Sequence, residues 1–292
     1  MHHLKLSWRV TYGAFMHFLA DDGWAIASYI ALSTLMALFP FMIVVTALAA
    51  FFFGSKDLAD EAAHILLEAW PPQVAGPISA DITGVLTNVR GEVLTFGLFF
   101  AIYFASSGVE SLRIGLNRAY DMAERRPWWL LRLESILYVL IAAVAILAFS
   151  LLVVLAPFLW DRLLRFAPQF APFGVIVTFV RYVVAGMVLI IALTVIHSWL
   201  PAGRRSLGEI APGIVATLAL WLIAGAVFGR YLAEYAFAYV SMYAGLASAM
   251  IALVFLYVCA SIFVFGAELN STISRVRSGI EEQALAQEFR KR

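Results

Sequence analysis

MYAGLASAMIALVFLYVCASIFVFGA, residues 242–267, contains no aspartate, glutamate, lysine or arginine. As a helix rising 1.5 Å per residue it would span about 39 Å. A bilayer hydrocarbon core is about 30 Å thick and takes about 20 apolar residues to cross. Five more apolar stretches precede it, at 24–53, 94–109, 136–160, 173–200 and 209–229. Hydrophobic residues make up 63% of the 292-residue chain, and the mean hydropathy is +0.90. A soluble domain carries closer to half apolar residues. These features predict an all-α polytopic membrane bundle of six transmembrane helices in a single membrane domain, 1–292. The segments between the spans are too short for an independent catalytic domain of ordinary size.

Lysine and arginine collect in the cytoplasmic loops of membrane proteins. With both termini in the cytoplasm, fourteen of the twenty fall inside and five outside, Arg181 lying within the fourth span. The even span number agrees, so both termini are expected to be cytoplasmic. No short apolar core followed by a cleavage site marks the N-terminus as a cleavable leader, so the first span is expected to act as the insertion signal. Residues 4–20 place Leu4, Trp8, Tyr12, Phe15 and Leu19 at helical spacing, with Lys5, Arg9 and His17 off that stripe. That pattern predicts an amphipathic helix in the inner interface. Asp21 and Asp22 stand where they would help start the first span, and Pro40 is expected to kink it. The outer loop 54–93 reads as short amphipathic helices, and 268–292 as a cytoplasmic tail. Gly225 and Gly229 form a close-packing pattern that suits either the bundle or a contact between subunits.

The formal net charge of +1 gives no reason to expect a nucleic-acid partner. One cysteine, Cys259, rules out a disulfide framework and a cysteine-based metal site. No metal-ligand cluster, phosphate loop or nucleophile elbow is present, so no catalytic residue, metal or cofactor is expected.

Ionisable residues at membrane depth are costly and point to function. The second span and its extension carry Tyr103, Ser106, Ser107, Glu110, Arg113 and Asn117, spaced so that most share a helical face. The last span carries Tyr257, Ser261, Glu268 and Asn270, and the first carries Tyr29 and Ser33. With Glu209 at the start of the fifth span, they suggest a polar funnel open to the cytoplasm. Arg181 either joins that pathway or snorkels outward. The structural alternative is that the charges at the helix ends pair and fasten the helices together. His197 reads as an interface residue.

The residues Ala31-Leu32-Ser33, Leu38-Phe39-Pro40, Leu116-Asn117-Arg118-Ala119-Tyr120, Arg126-Pro127, Pro212-Gly213, Tyr243-Ala244-Gly245-Leu246-Ala247 and Gly266-Ala267-Glu268-Leu269-Asn270 occur in this order along nearly the whole chain. In this the chain resembles the YihY/BrkB family. It departs at 244–247, where the family has a Gly-Ser-Leu-Gly pattern. The resemblance implies a six-helix protein of the bacterial inner membrane. Family members carry ribonuclease and serum-resistance labels, and transport, including of lipids, has been suggested for them. The expectation is a transporter or lipid-translocating protein, not an enzyme, that meets membrane lipids and takes a lipid or small amphiphile; a homo-oligomer is compatible. The alternatives are a non-transporting assembly factor that binds lipid or a partner protein, and a membrane-embedded enzyme.

Overall fold

The computed structural model describes residues 2–53, 94–166, 169, 174–243 and 246–279. The predicted outer-loop helices, the tail beyond residue 279 and the side chain of Arg181 lie outside what is described. The described residues form seven helices: α1 His2–Ala20, α2 Gly23–Phe53, α3 Leu94–Ala119, α4 Trp128–Phe166, α5 Gly174–Trp199, α6 Leu207–Tyr243 and α7 Ala247–Arg277. Four stretches are long and apolar enough to cross a membrane: Gly23–Val45, Trp128–Phe149, Leu207–Tyr235 and Ala247–Arg277. Val183–Trp199 is a shorter apolar helix.

The helices run past the apolar stretches that announce them. α4 starts at Trp128, directly after Pro127, whose carbonyl accepts from Leu130 N–H at 3.0 Å. Proline suits a first helical turn because the amide it lacks has no partner there. α2 continues unbroken through Pro40. α7 continues to Arg277, so the first part of the predicted tail is helix.

α2 and α7 form the centre of the bundle. α2 packs against α3 and α7, and α7 also packs against α6 and α1. At the end bearing the charged connections, the core joins Phe18, Ile30, Leu116, Leu193, Leu200, Ile210, Phe263 and Val264, drawn from six of the seven helices. Further along, Leu38 and Met42 meet Phe228, Leu232, Ile251 and Phe255. Trp221 Nε1 donates to the Cys259 carbonyl at 2.9 Å and ties α6 to α7 between these layers. Leu32, Met36, Phe99, Phe100, Ile190, Ile191, Leu222 and Val227 stay exposed. Such an apolar exterior suits hydrocarbon, not water.

α1 buries Ala14 and Phe18, while Trp8, Tyr12, Phe15 and Leu19 face outward. Asp22, at φ 56°, turns the chain from α1 into α2. Phe18 then packs edge-on against Trp24, with ring centroids 4.9 Å apart. A tight helix contact lies elsewhere than the Gly225/Gly229 pattern indicates. A Cβ on either of those glycines would meet no described atom within 4 Å. Gly213 of α6 and Gly266 of α7 instead touch backbone to backbone: a Cβ on Gly266 would lie 2.9 Å from the Gly213 carbonyl oxygen.

Candidate functional site

The polar side chains at the charged end fall into three assemblies. The first joins α3 to α4. Arg113, 2% exposed, donates to the Leu131 carbonyl at 3.0 Å and to Ser135 Oγ at 3.1 Å. Its other terminal nitrogen lies 3.3 Å from Glu110 Oε1. The second oxygen of Glu110 pairs with Arg132 at 3.0 Å. Arg132 also donates to Ser106 Oγ at 2.9 Å and Ser107 Oγ at 3.4 Å, and its guanidinium sits 4.3 Å from the centroid of the Tyr103 ring. Among the described residues the α3 stripe is therefore paired with side chains and backbone of α4.

The second assembly locks two connections together. Arg126 grips Glu124 with Nε at 2.9 Å and Nη2 at 2.8 Å, a two-point fork. It also reaches Glu134 at 2.8 Å and the Leu200 carbonyl at 3.2 Å. Asn117 donates to Glu124 at 3.1 Å and accepts from Ala202 N–H at 2.6 Å. The Arg126 fork lowers the Glu124 carboxyl to about 2.

The third assembly surrounds a cleft of about 340 Å³ between the ends of α3 and α7 and the α5–α6 connection. Tyr120, Arg204, Arg205, Glu209, Asn270 and Arg275 contribute to its wall, with Asp121 and the hydroxyls of Ser271, Ser274 and Ser278. Asn270, 2% exposed, accepts from Gly213 N–H at 2.6 Å and donates to Tyr120 OH at 3.2 Å. Tyr120 OH lies 2.8 Å from His197 Nδ1. With its one proton the phenol can donate to Nδ1 while it accepts from Asn270, the roles following the histidine's tautomer. Burial raises the Tyr120 phenol to about 12, which keeps that proton in place. Arg205 stacks 3.6 Å over the Tyr120 ring.

Behind this cleft, one turn before Ser271 and Thr272, lies Glu268. It is 1% exposed, and neither carboxylate oxygen has a hydrogen-bond partner among the described residues. Asp21 and Arg118, themselves paired at 3.6 Å, and Asp121 and Arg275 are the charged groups around it.

The predicted funnel residues are thus divided. Tyr103, Ser106, Ser107, Glu110 and Arg113 belong to the α3–α4 network, and Asn117 to the connection lock. Glu209 and Asn270 line the cleft, while Glu268 lies behind it. Tyr29 points outward and is 46% exposed, and Ser33 is half-buried on α2. Ser261 donates to the Tyr257 carbonyl at 2.8 Å and faces a separate apolar groove with Phe15, Trp24 and Phe265. Among the described residues, neither the cleft nor the groove gathers the polar residues of spans one, two and six. His197 is fully buried against Phe263 instead of standing at the interface. Sequence reasoning used Arg126, Arg132, Arg204 and Arg205 only as orientation signals. Their partners are distant in sequence, and only the Arg126-Pro127 match hinted at a structural part. Among the described residues, no group of His, Cys, Asp and Glu is placed to hold a metal ion.

An all-helical bundle with an apolar exterior and a polar assembly at one end is a multi-pass membrane protein. The chain belongs to the family described as Virulence factor BrkB, which it matches over residues 14–291. It is 27% identical to a protein named as ribonuclease-like, YfkH, of Bacillus subtilis (strain 168), over 89% of this chain and 94% of that one. It is 26% identical to a UPF0761 membrane protein of Rhodospirillum centenum (strain ATCC 51521 / SW), over 90% of this chain and 56% of that longer one. No solved structure matches the chain significantly.

Proposed function

We propose that this protein carries a lipid or small amphiphile across the bacterial inner membrane, the substrate's polar part entering the cleft from the cytoplasm. Glu268 carries this reading. A carboxyl kept only to fasten helices has partners, as Glu110, Glu124 and Glu134 do. Burying one without a partner costs several kcal/mol. That cost is consistent with a group that must exchange a proton or meet a substrate. The chemistry is binding and passage, with no bond made or broken and no cofactor. Membrane lipids are its surroundings and the source of its substrate.

The test is translocation of a fluorescent phospholipid in proteoliposomes. Glu268→Gln keeps the shape and removes the titratable carboxyl, and is expected to fold to wild-type yield yet lose most of the activity. Parallel loss of folded protein and activity would refute the pathway role. A second reading, a non-transporting assembly factor, is favoured by the fully paired α3–α4 network; wild-type vesicles that show no translocation would support it.

A further inference from the structure

We propose that the cleft beside Tyr120 is a binding site for a phosphate ester, borne by a lipid headgroup or a free phosphorylated molecule. The inference deepens the carrier reading and rests on it for biological purpose, although the binding can be tested without transport.

The argument starts from how arginines are neutralised at this end of the molecule. Arg113, Arg118, Arg126 and Arg132 each have a carboxylate within salt-bridge distance. The three arginines of the cleft have none among the described residues. Arg205 is occupied by the Ala202 carbonyl at 3.3 Å and the face of Tyr120. Arg275 lies 3.2 Å from the His17 ring and near Glu268, without a salt bridge among the described residues. Arg204 is exposed and has no hydrogen bond or ion pair among the described residues. The two acids of the wall form no ion pair with them among the described residues: Glu209 accepts from Ser206 N–H at 2.9 Å and acts on Arg205 only across space. Counted over the residues of the wall alone, three cations stand against two carboxylates.

The donor set matches phosphate more closely than it matches a carboxylate. A phosphate group places its oxygens tetrahedrally and suits guanidinium donors that converge from different elements, whereas a carboxylate's two oxygens lie in one plane. Ser271 and Ser274, one turn apart on α7, line the cleft beside Arg275. Tyr120 is held by Asn270 and His197, and Arg205 is held over Tyr120, so part of the site is pre-formed. A volume of about 340 Å³ is several times that of a phosphate ion and has room for a headgroup.

The experiment measures binding to the full chain in detergent, by intrinsic fluorescence and calorimetry. Dioctanoylphosphatidylglycerol, glycerol 3-phosphate and dioctanoylglycerol are the probes. The phosphate-bearing probes are expected to bind and the uncharged diacylglycerol is not. Binding of the phospholipid alone identifies a headgroup as the source, and equal binding of glycerol 3-phosphate identifies a free ester. Arg204→Gln, at an exposed position that leaves folding intact, is expected to weaken binding about tenfold, the order of one charge-assisted contact. Arg125→Gln, an exposed arginine outside the cleft wall, is the control and should change nothing. Equal affinity for dioctanoylglycerol, or equal loss in Arg204→Gln and Arg125→Gln, overturns the inference. Arg204-dependent binding without translocation in vesicles would keep this site and overturn the carrier reading alone.

Discussion

Replacing Gly266 with alanine tests whether the α6–α7 crossing sets the spacing of the bundle. The added Cβ would stand 2.9 Å from the Gly213 carbonyl oxygen, where ordinary contact begins near 3.4 Å. It would come closer still to Thr217 Oγ1. The hydroxyl can rotate away, but the carbonyl belongs to a helix backbone and cannot. The two helices must therefore part by about 0.5 Å, which strains a crossing also tied by Asn270 to Gly213 N–H. Overpacking of this kind costs about 1–3 kcal/mol. Alanine's higher helix propensity returns about 0.5–1 kcal/mol. The net expectation is a destabilisation of about 1–2 kcal/mol, near a tenfold shift in the unfolding equilibrium. Gly225→Ala is the counterpart: no described atom stands within 4 Å, so only the propensity gain acts. Denaturant unfolding in mixed micelles, followed by tryptophan fluorescence, compares the two. Opposite signs are expected. A Gly266→Ala variant as stable as wild type, or equal loss in both variants, would refute the reasoning.

Arg126→Ala should loosen the two connections it joins, at a cost of about 1.5–3 kcal/mol for its charge-assisted bonds, read as lower thermal stability and faster proteolysis after Arg125. The same fork holds Glu124 at about 2, below its ordinary 4.5. A carboxyl depressed on folding adds stability that is fully present above pH 4.5 and is lost as pH falls toward 2. Wild-type stability should therefore decline across that window, and the decline should be shallower in Arg126→Ala; parallel pH profiles would disprove the assignment. Tyr120→Phe removes the hydroxyl between Asn270 and His197 and leaves both with buried, unmet polar groups. A loss of about 1–3 kcal/mol is expected in the same unfolding assay, and an unchanged midpoint would show that the relay does not contribute.

Hydropathy carried the fold a long way. A stretch such as 242–267 can hardly be anything but a spanning helix, because its backbone must satisfy itself and its side chains tolerate lipid. Helix limits were less legible: polar residues such as Ser271 and Thr272 are helical because neighbouring elements cover them, a condition no local pattern records. Glu268 and Asn270 stood out because polar groups at that depth demand a reason. The Tyr103–Arg113 stripe stood out equally, yet its reason is Arg132 and Ser135 on the next helix. Periodicity shows that a face is polar, but not what faces it. The cleft was hidden for the same reason, since Tyr120, Arg205 and Arg275 meet only in three dimensions. Gly225/Gly229 shows the converse: a recognised spacing left open among the described residues, while Gly213 and Gly266, noted only as parts of longer motifs, make the contact.

α7, the last described helix, packs against α1 and α2, the first two. During synthesis, then, the opening helices reach the membrane long before the surface they will cover exists. Until α7 inserts, Phe18 and Ile30 lack the side of the core that Phe263 and Val264 supply. Glu268, Asn270, Ser271, Ser274 and Arg275 all arrive on that final helix. The cleft is closed in a single late step, so a chain stalled before α7 carries Tyr120, Arg204, Arg205 and Glu209 without the wall that faces them.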